Sequence, residues 1–254
     1  MFLEIEGLSM QFGGLSAVKD VSIKIDEGEI HGLIGPNGSG KTTTFNVVSG
    51  YYKPSGGKIT FERKNITGLP AYRITAAGFA RTFQNLRLFK SMTVLENVLV
   101  GMGHHAKAGL WQQILNPIAV RREERAFIEK AMRLLDLLGI AKLAEYPATS
   151  LSYGHQRRVE IARALGTDPR ILLLDEPAAG LNDIESVDLR ETLVKIRESG
   201  VTIFLIEHDM KLVMGMCDII TVLDYGRKIA EGSCEHISND PVVIEAYLGK
   251  EEQL

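Results

Sequence analysis

Gly35-Pro36-Asn37-Gly38-Ser39-Gly40-Lys41-Thr42 satisfies G-x-x-x-x-G-K-[ST], between a short apolar run at Glu29 to Ile34 and a segment from Lys41 to Ser49 that stops at Gly50. The order is strand, glycine loop, helix, the context in which such a loop cradles phosphates. Its glycines let backbone N–H groups converge on phosphate oxygens, and the helix N-terminus adds its positive end. Lys41 is placed to reach the β/γ-phosphates and the Thr42 hydroxyl to ligate Mg²⁺. Outside that context the same residues would read as a glycine-rich turn with an incidental lysine.

Downstream, Ile171-Leu172-Leu173-Leu174-Asp175-Glu176 is an apolar strand that delivers two carboxylates to its C-terminal end, where open α/β sheets place their ligands. Asp175 suits the Mg²⁺ shell and Glu176 the polarisation of water; alone, the pair would read as surface acids. His208 follows the strand Thr202 to Ile206 and can stand at the same sheet edge. Alone it would read as a turn or capping histidine. Strands at 171–174, 202–206 and 219–223 alternate with helical stretches at 185–198 and 210–217, which implies a largely parallel sheet.

Upstream, Leu3, Ile5 and Leu8 lead into a Gly13-Gly14 turn, and Val21, Ile23 and Ile25 alternate with polar residues before Glu27-Gly28. With Lys58 to Phe61 these read as half-buried strands of a small antiparallel layer. From Val94 to Arg163 the apolar spacing turns helical, for example Ala131, Leu134, Leu135 and Leu138. Within this helical lobe, Gly101 to Pro117 reads as an irregular surface insertion. Ser152 suits the N-cap of a helix that carries Val159, Ile161, Ala162 and Leu165, so Leu151 to Gln156 opens a second anion-ready helix N-terminus, able to serve a phosphate from another subunit.

Composition narrows the function classes. With 254 residues, 45% apolar and 24% charged, the chain is long enough and ordinary enough to bury a core, which excludes a disordered or disulfide-stapled protein. Lys+Arg 29 against Asp+Glu 32 leaves a net charge of −3, so the footprint of a nucleic-acid binder is missing. Cys217 and Cys234 form no CxxC pair, and the beginning of the chain does not read as a secretory signal. A cytoplasmic protein is expected. The apolar runs are far short of the roughly 20 residues of a membrane span.

Taken together, these motifs resemble the nucleotide-binding subunits of ATP-binding-cassette transporters over essentially the whole chain. Gly35 to Thr42 resembles the family's Walker A, Gln84 its Q-loop, Leu151 to Gln156 its signature, Ile171 to Glu176 its Walker B, Ala179 to Asp183 its D-loop and His208 its switch histidine. The motifs in the family's order are far more specific than any one of them. The resemblance implies an α/β fold: a P-loop NTPase (RecA-like) core with an N-terminal antiparallel β layer and an inserted α-helical lobe. It divides one nucleotide-binding domain into 1–84 and 164–235 as β layer plus core, 85–163 as helical lobe with the signature, and 236–254 as tail.

For the site, the resemblance implies ATP and Mg²⁺ as ligands. Gly35, Asn37, Gly38, Ser39, Gly40, Lys41, Thr42 and Thr43 would hold the phosphates, and Thr42, Gln84 and Asp175 the metal. Glu176 would activate water and His208 would touch the γ-phosphate. Phe12 occupies the position of an aromatic that stacks on adenine. Ser152 and Gly154 would close on the γ-phosphate held by the other protomer of a dimer, formed with itself or with a sister ATPase.

Within the family, Leu151 to Gly154, Arg157 to Leu165, Glu207 to Met210 and Glu245-Ala246-Tyr247-Leu248-Gly249 are similar to the LivG-type ATPases of branched-chain amino-acid importers. His155 departs from that pattern, standing where a Gln is expected. The implied setting is the inner face of the cell membrane, with transmembrane permease subunits as partners and a periplasmic or lipid-anchored binding protein acting indirectly. Lipopolysaccharide-export and urea-import ATPases, and soluble cassette proteins without a permease, are the alternatives.

Overall fold

A computed structural model of the chain describes residues 2–103 and 117–248. Two sheets are stacked around the glycine loop. The first is antiparallel, built from β1 (Leu3–Phe12), β2 (Leu15–Ile25), β4 (Gly56–Phe61) and β5 (Lys64–Asn65) in the order β2-β1-β4-β5. The second runs β10-β9-β3-β8-β7-β6, from β3 (Ile30–Ile34), β6 (Phe79–Arg81), β7 (Ile171–Asp175), β8 (Thr202–Ile206), β9 (Ile219–Asp224) and β10 (Arg227–Gly232). All its pairings are parallel except the hairpin of β9 with β10.

The central strands are buried on both faces, which is why β7 and β8 read as largely apolar runs and why the buried His31 of β3 is held by Glu29 and Thr221. Successive side chains still go to different cores. Ile171, Leu173, Phe204 and Ile206 pack with the antiparallel layer and with Phe45 and Val48 of α1 (Lys41–Val48). Leu172, Leu174, Ile203 and Leu205 face the helices of the opposite side. Those helices are α3 (Val94–Met102), α4 (Pro117–Leu137), α5 (Tyr153–Leu165), α6 (Asp183–Glu198) and α7 (Met210–Met214), with α8 (Cys234–Asn239) and α9 (Pro241–Leu248) after the last strand.

Several boundaries depart from the sequence reading. α7 stops at Met214 rather than 217, because Gly215 caps it. Neither β6 nor α2 (Ala71–Ala76) is legible in the sequence. β6 is three residues long and exists by pairing with β7, which no periodicity reports. Of the irregular insertion expected at 101–117, residues 104–116 lie outside the described residues, as do 249–254 of the tail.

Candidate active site

The glycine loop turns β3 into α1, and the turn itself demands glycine. Gly35 has φ +144, and a Cβ there would lie 2.0 Å from the Leu223 carbonyl oxygen. Gly40 has φ +102, and a Cβ there would meet the Ala17 carbonyl at 2.6 Å. Gly40 is also the N-cap of α1 and offers no side-chain cap, whereas α3, α5 and α6 are capped by Thr93, Ser152 and Asn182. The first N–H groups of α1 are thus left for an anion, where the helix dipole favours one.

A cleft of about 310 Å³ opens over this loop, lined by Asn37, Gly38, Ser39, Gly40, Lys41, Thr42 and Thr43. Glu176 and His208 close it from the sheet edge, and Leu15, Ser16, Ala17, Lys19 and Tyr225 form the rest of the wall. Lys41 is 5% exposed, and its ammonium donates to the carbonyls of Gly35 at 2.7 Å and Pro36 at 3.0 Å. A buried cation that donates to its own loop's carbonyls is poised to exchange them for phosphate oxygens.

Glu176 sits at φ +49, a left-handed backbone that turns its carboxylate back over the end of β7. One oxygen accepts from Gln84 Nε2 at 2.8 Å and the other is 2.7 Å from His208 Nε2. Three candidates drawn from distant segments therefore share one carboxylate. Asp175 lies beneath, 2% exposed, taking a hydrogen bond from Arg81 at 2.9 Å on Oδ2. Its Oδ1 is buried without a hydrogen-bond partner. Burial pushes this carboxyl above its ordinary value, against the pull of Arg81. An orphaned buried carboxylate oxygen, with the exposed Thr42 hydroxyl on the loop, fits a hard divalent cation that keeps water and phosphate among its ligands.

The pattern described as ABC transporter matches residues 18–179 of this chain, and one described as branched-chain amino acid ATP-binding cassette transporter matches 227–253. The high-affinity branched-chain amino acid transport ATP-binding protein LivG of Salmonella typhimurium is 49% identical over 98% of both chains. Among solved structures, the ADP conformation of MJ1267, an ATP-binding cassette of an ABC transporter, is 35% identical with a TM-score of 0.86 over 98% of both chains. The dimeric post-hydrolysis state of the cassette MJ0796, bound to ADP and Pi, is 25% identical with a TM-score of 0.74 over 91% of this chain and 98% of that one. The chain belongs to the ABC transporter ATP-binding proteins. It has the P-loop ATPase fold of that family, and is an ATP-hydrolysing transporter subunit.

Other expected site residues of this cassette lie away from the cleft. Phe12 is on the tip of the β1–β2 hairpin, 41% exposed and edge-to-face with Tyr52 at 5.3 Å, outside the residues that line the cleft. Ser152 caps its own helix, accepting from the His155 N–H at 3.4 Å, with His155 Nδ1 at 3.2 Å from the same hydroxyl. Gly154 is buried against Glu185 of α6, which a Cβ would approach to 2.8 Å. Both belong to a surface formed by the signature and the D-loop, where the Tyr153 ring packs on Gly180.

The sequence reading missed the residues that join these motifs. Arg157 on α5 is fully buried, yet it donates to the carbonyls of Phe83 at 2.7 Å, Gln84 at 3.0 Å and Glu176 at 3.3 Å, and to Glu160 at 2.8 Å. One guanidinium thereby ties the signature helix to both loops that carry Gln84 and Glu176. Glu207, 3% exposed, accepts from the N–H groups of Ala178 and His208 and so ties the Walker B segment to the histidine's own loop. A signal existed for Arg157, since it falls at helical spacing with the apolar Ile161 and Ala164, on the face that has to be buried.

Proposed function

We propose that this chain is the ATP-hydrolysing subunit of an importer of branched-chain amino acids, docked on permease subunits at the inner face of the membrane and working as a dimer. The observation that carries the chemistry is the Gln84–Glu176–His208 constellation at the mouth of a complete phosphate loop. The substrate class rests on LivG and on the match at 227–253. The division into core (1–84 and 164–235), helical lobe (85–163) and tail (236–254) belongs to the same reading.

Phosphoryl transfer to water asks for positioning and for charge stabilisation. In this reading the loop residues 35–43 orient the phosphates and Lys41 moves onto the β/γ-oxygens. Thr42 and Asp175, with Gln84, would hold Mg²⁺, which when bound would supply charge neutralisation on the phosphates. Glu176 accepts a hydrogen bond from the attacking water, and His208 holds the γ-phosphate and keeps Glu176 aimed. The adenine would rest near the hairpin tip, where Phe12 supplies an aromatic face.

Ser152 and Gly154 do not line the cleft of their own chain. Their proposed ligand is the γ-phosphate held by the opposite protomer, which is consistent with a cassette of this fold being a dimer in its post-hydrolysis state. Co-reconstitution in liposomes with the permease and binding protein encoded beside it tests the whole reading. Hydrolysis stimulated by leucine, isoleucine or valine is expected. Stimulation by urea alone would transfer the subunit to another importer, and indifference to any permease would point to a soluble cassette.

A further inference from the structure

Within the cleft, Glu176 and His208 mark where the γ-phosphate belongs in the proposed reading, and residues 37–43 line the place of the phosphates. The lining left over for the nucleoside is Leu15, Ser16, Ala17, Lys19 and Tyr225. Leu15 and Tyr225 are each 69% exposed, two large apolar side chains open to water on the wall of one cleft. A scattered exposed apolar group is ordinary, whereas apolar faces gathered in a concave site are what a bound ring system covers.

Tyr225 stands where the backbone does not favour it. β9 and β10 are joined by a two-residue turn, with Asp224 paired to Arg227, and both turn residues have positive φ, +43 at Tyr225 and +79 at Gly226. Such turns prefer Asn, Asp or Gly at the first position, and a bulky ring there is held against its backbone preference. The turn is also fixed to the site. The Gly226 N–H donates to the Ser39 carbonyl of the phosphate loop at 3.0 Å, and the Gly226 carbonyl accepts from the Lys19 N–H at 2.7 Å. An aromatic side chain that the turn itself does not ask for is thus carried beside the phosphate loop, and strain of this kind gathers where ligands are held.

We propose that Tyr225 is a nucleoside-binding residue: its ring, together with Leu15, is an apolar wall against which the nucleoside packs when the phosphates occupy the loop. It adds a second aromatic to Phe12 of the β1–β2 hairpin, whose ring meets Tyr52 and does not line the cleft. Tyr225 lies outside the stretch at 18–179 that matches the general transporter pattern. The assignment rests on the reading that nucleotide phosphates bind at residues 35–43.

The test uses the full chain, with thermal midpoint and affinity for ATP and for inorganic tripolyphosphate, which carries no nucleoside, measured for Tyr225→Asn, Tyr225→Trp and Lys41→Ala. Asn suits the turn better than Tyr, so in Tyr225→Asn the midpoint should hold or rise while ATP affinity weakens about tenfold and tripolyphosphate affinity stays unchanged. A stabilised chain that binds ATP less well separates the ring's contact with the ligand from a structural role. Tyr225→Trp keeps an aromatic face, so it should retain ATP affinity, and its indole emission should respond to ATP and not to tripolyphosphate. Wild-type ATP affinity in Tyr225→Asn, or an equal loss for tripolyphosphate, would overturn the nucleoside wall alone, provided Lys41→Ala loses both ligands. Undiminished binding by Lys41→Ala would overturn the site itself and the wall with it.

Discussion

At Glu176 one carboxylate serves two neighbours, Gln84 at 2.8 Å and His208 at 2.7 Å, and both would hold it in line for a water entering from the cleft. Glu176→Gln keeps the shape and removes the charge. Turnover should fall by at least about a hundredfold while ATP still binds, as expected for loss of a positioned base. Phosphate release and ATP-dependent dimerisation measured together check this; near-wild-type turnover would remove Glu176 from the chemistry. Arg157 is a different kind of residue, since it touches no proposed ligand. Arg157→Met would leave buried Glu160 with the more distant Arg163 at 3.9 Å in place of the Arg157 contact at 2.8 Å, and three carbonyls short of a donor. A loss of about 3 to 5 kcal/mol in denaturant unfolding is expected, and a loss below about 1 kcal/mol would show that water replaces the guanidinium.

At the scale of elements, the two helix N-termini differ in what their caps leave open. α1 has no side-chain cap, whereas α5 is capped by Ser152. The first is ready for a ligand within its own chain, and the second offers a hydroxyl on a surface turned away from the cleft. Lys41→Ala should therefore abolish nucleotide binding by the monomer. Ser152→Ala should leave it nearly unchanged and lower hydrolysis by the dimer. A heterodimer of the two variants isolates one site with a complete set of residues, and activity above either homodimer is expected from it. A Ser152→Ala monomer that no longer binds ATP would contradict the assignment to the opposite protomer.

At the scale of the whole molecule, the buried carboxyls tie stability to pH. Burial raises Glu207 above its ordinary 4.5, outweighing the backbone N–H groups it accepts from, and Glu160 and Asp175 are raised by the same cause. The folded chain then holds these protons to higher pH than the unfolded chain does. Folding stability should therefore fall as pH climbs from about 4.5 through the folded values. Glu207→Gln, neutral throughout, should make that decline shallower in denaturant titrations across pH 4.5 to 7.5. An unchanged slope would mean that Glu207 is ionised in the fold at the same pH as in the open chain.

Local chemistry made much of this protein legible in its sequence. The loop 35–42, the acid-tipped strand 171–176 and the alternation of strand and helix are set by glycine conformation, burial on both faces and period, all of which act over a few residues. These gave the α/β core and the motif order. What the residues by themselves did not disclose is long-range. Gln84, Glu176 and His208 share a carboxylate only because β7 and β8 are neighbours in the sheet and Arg157 pins the Gln84 loop from another helix. The spacing of Arg157 puts it on the buried face of α5 but does not say which carbonyls it meets there, and the three-residue strand 79–81 has no existence apart from its partner. Contacts closed across such distances, like that of Arg157 with the carbonyl of Phe83, leave no local periodicity to read.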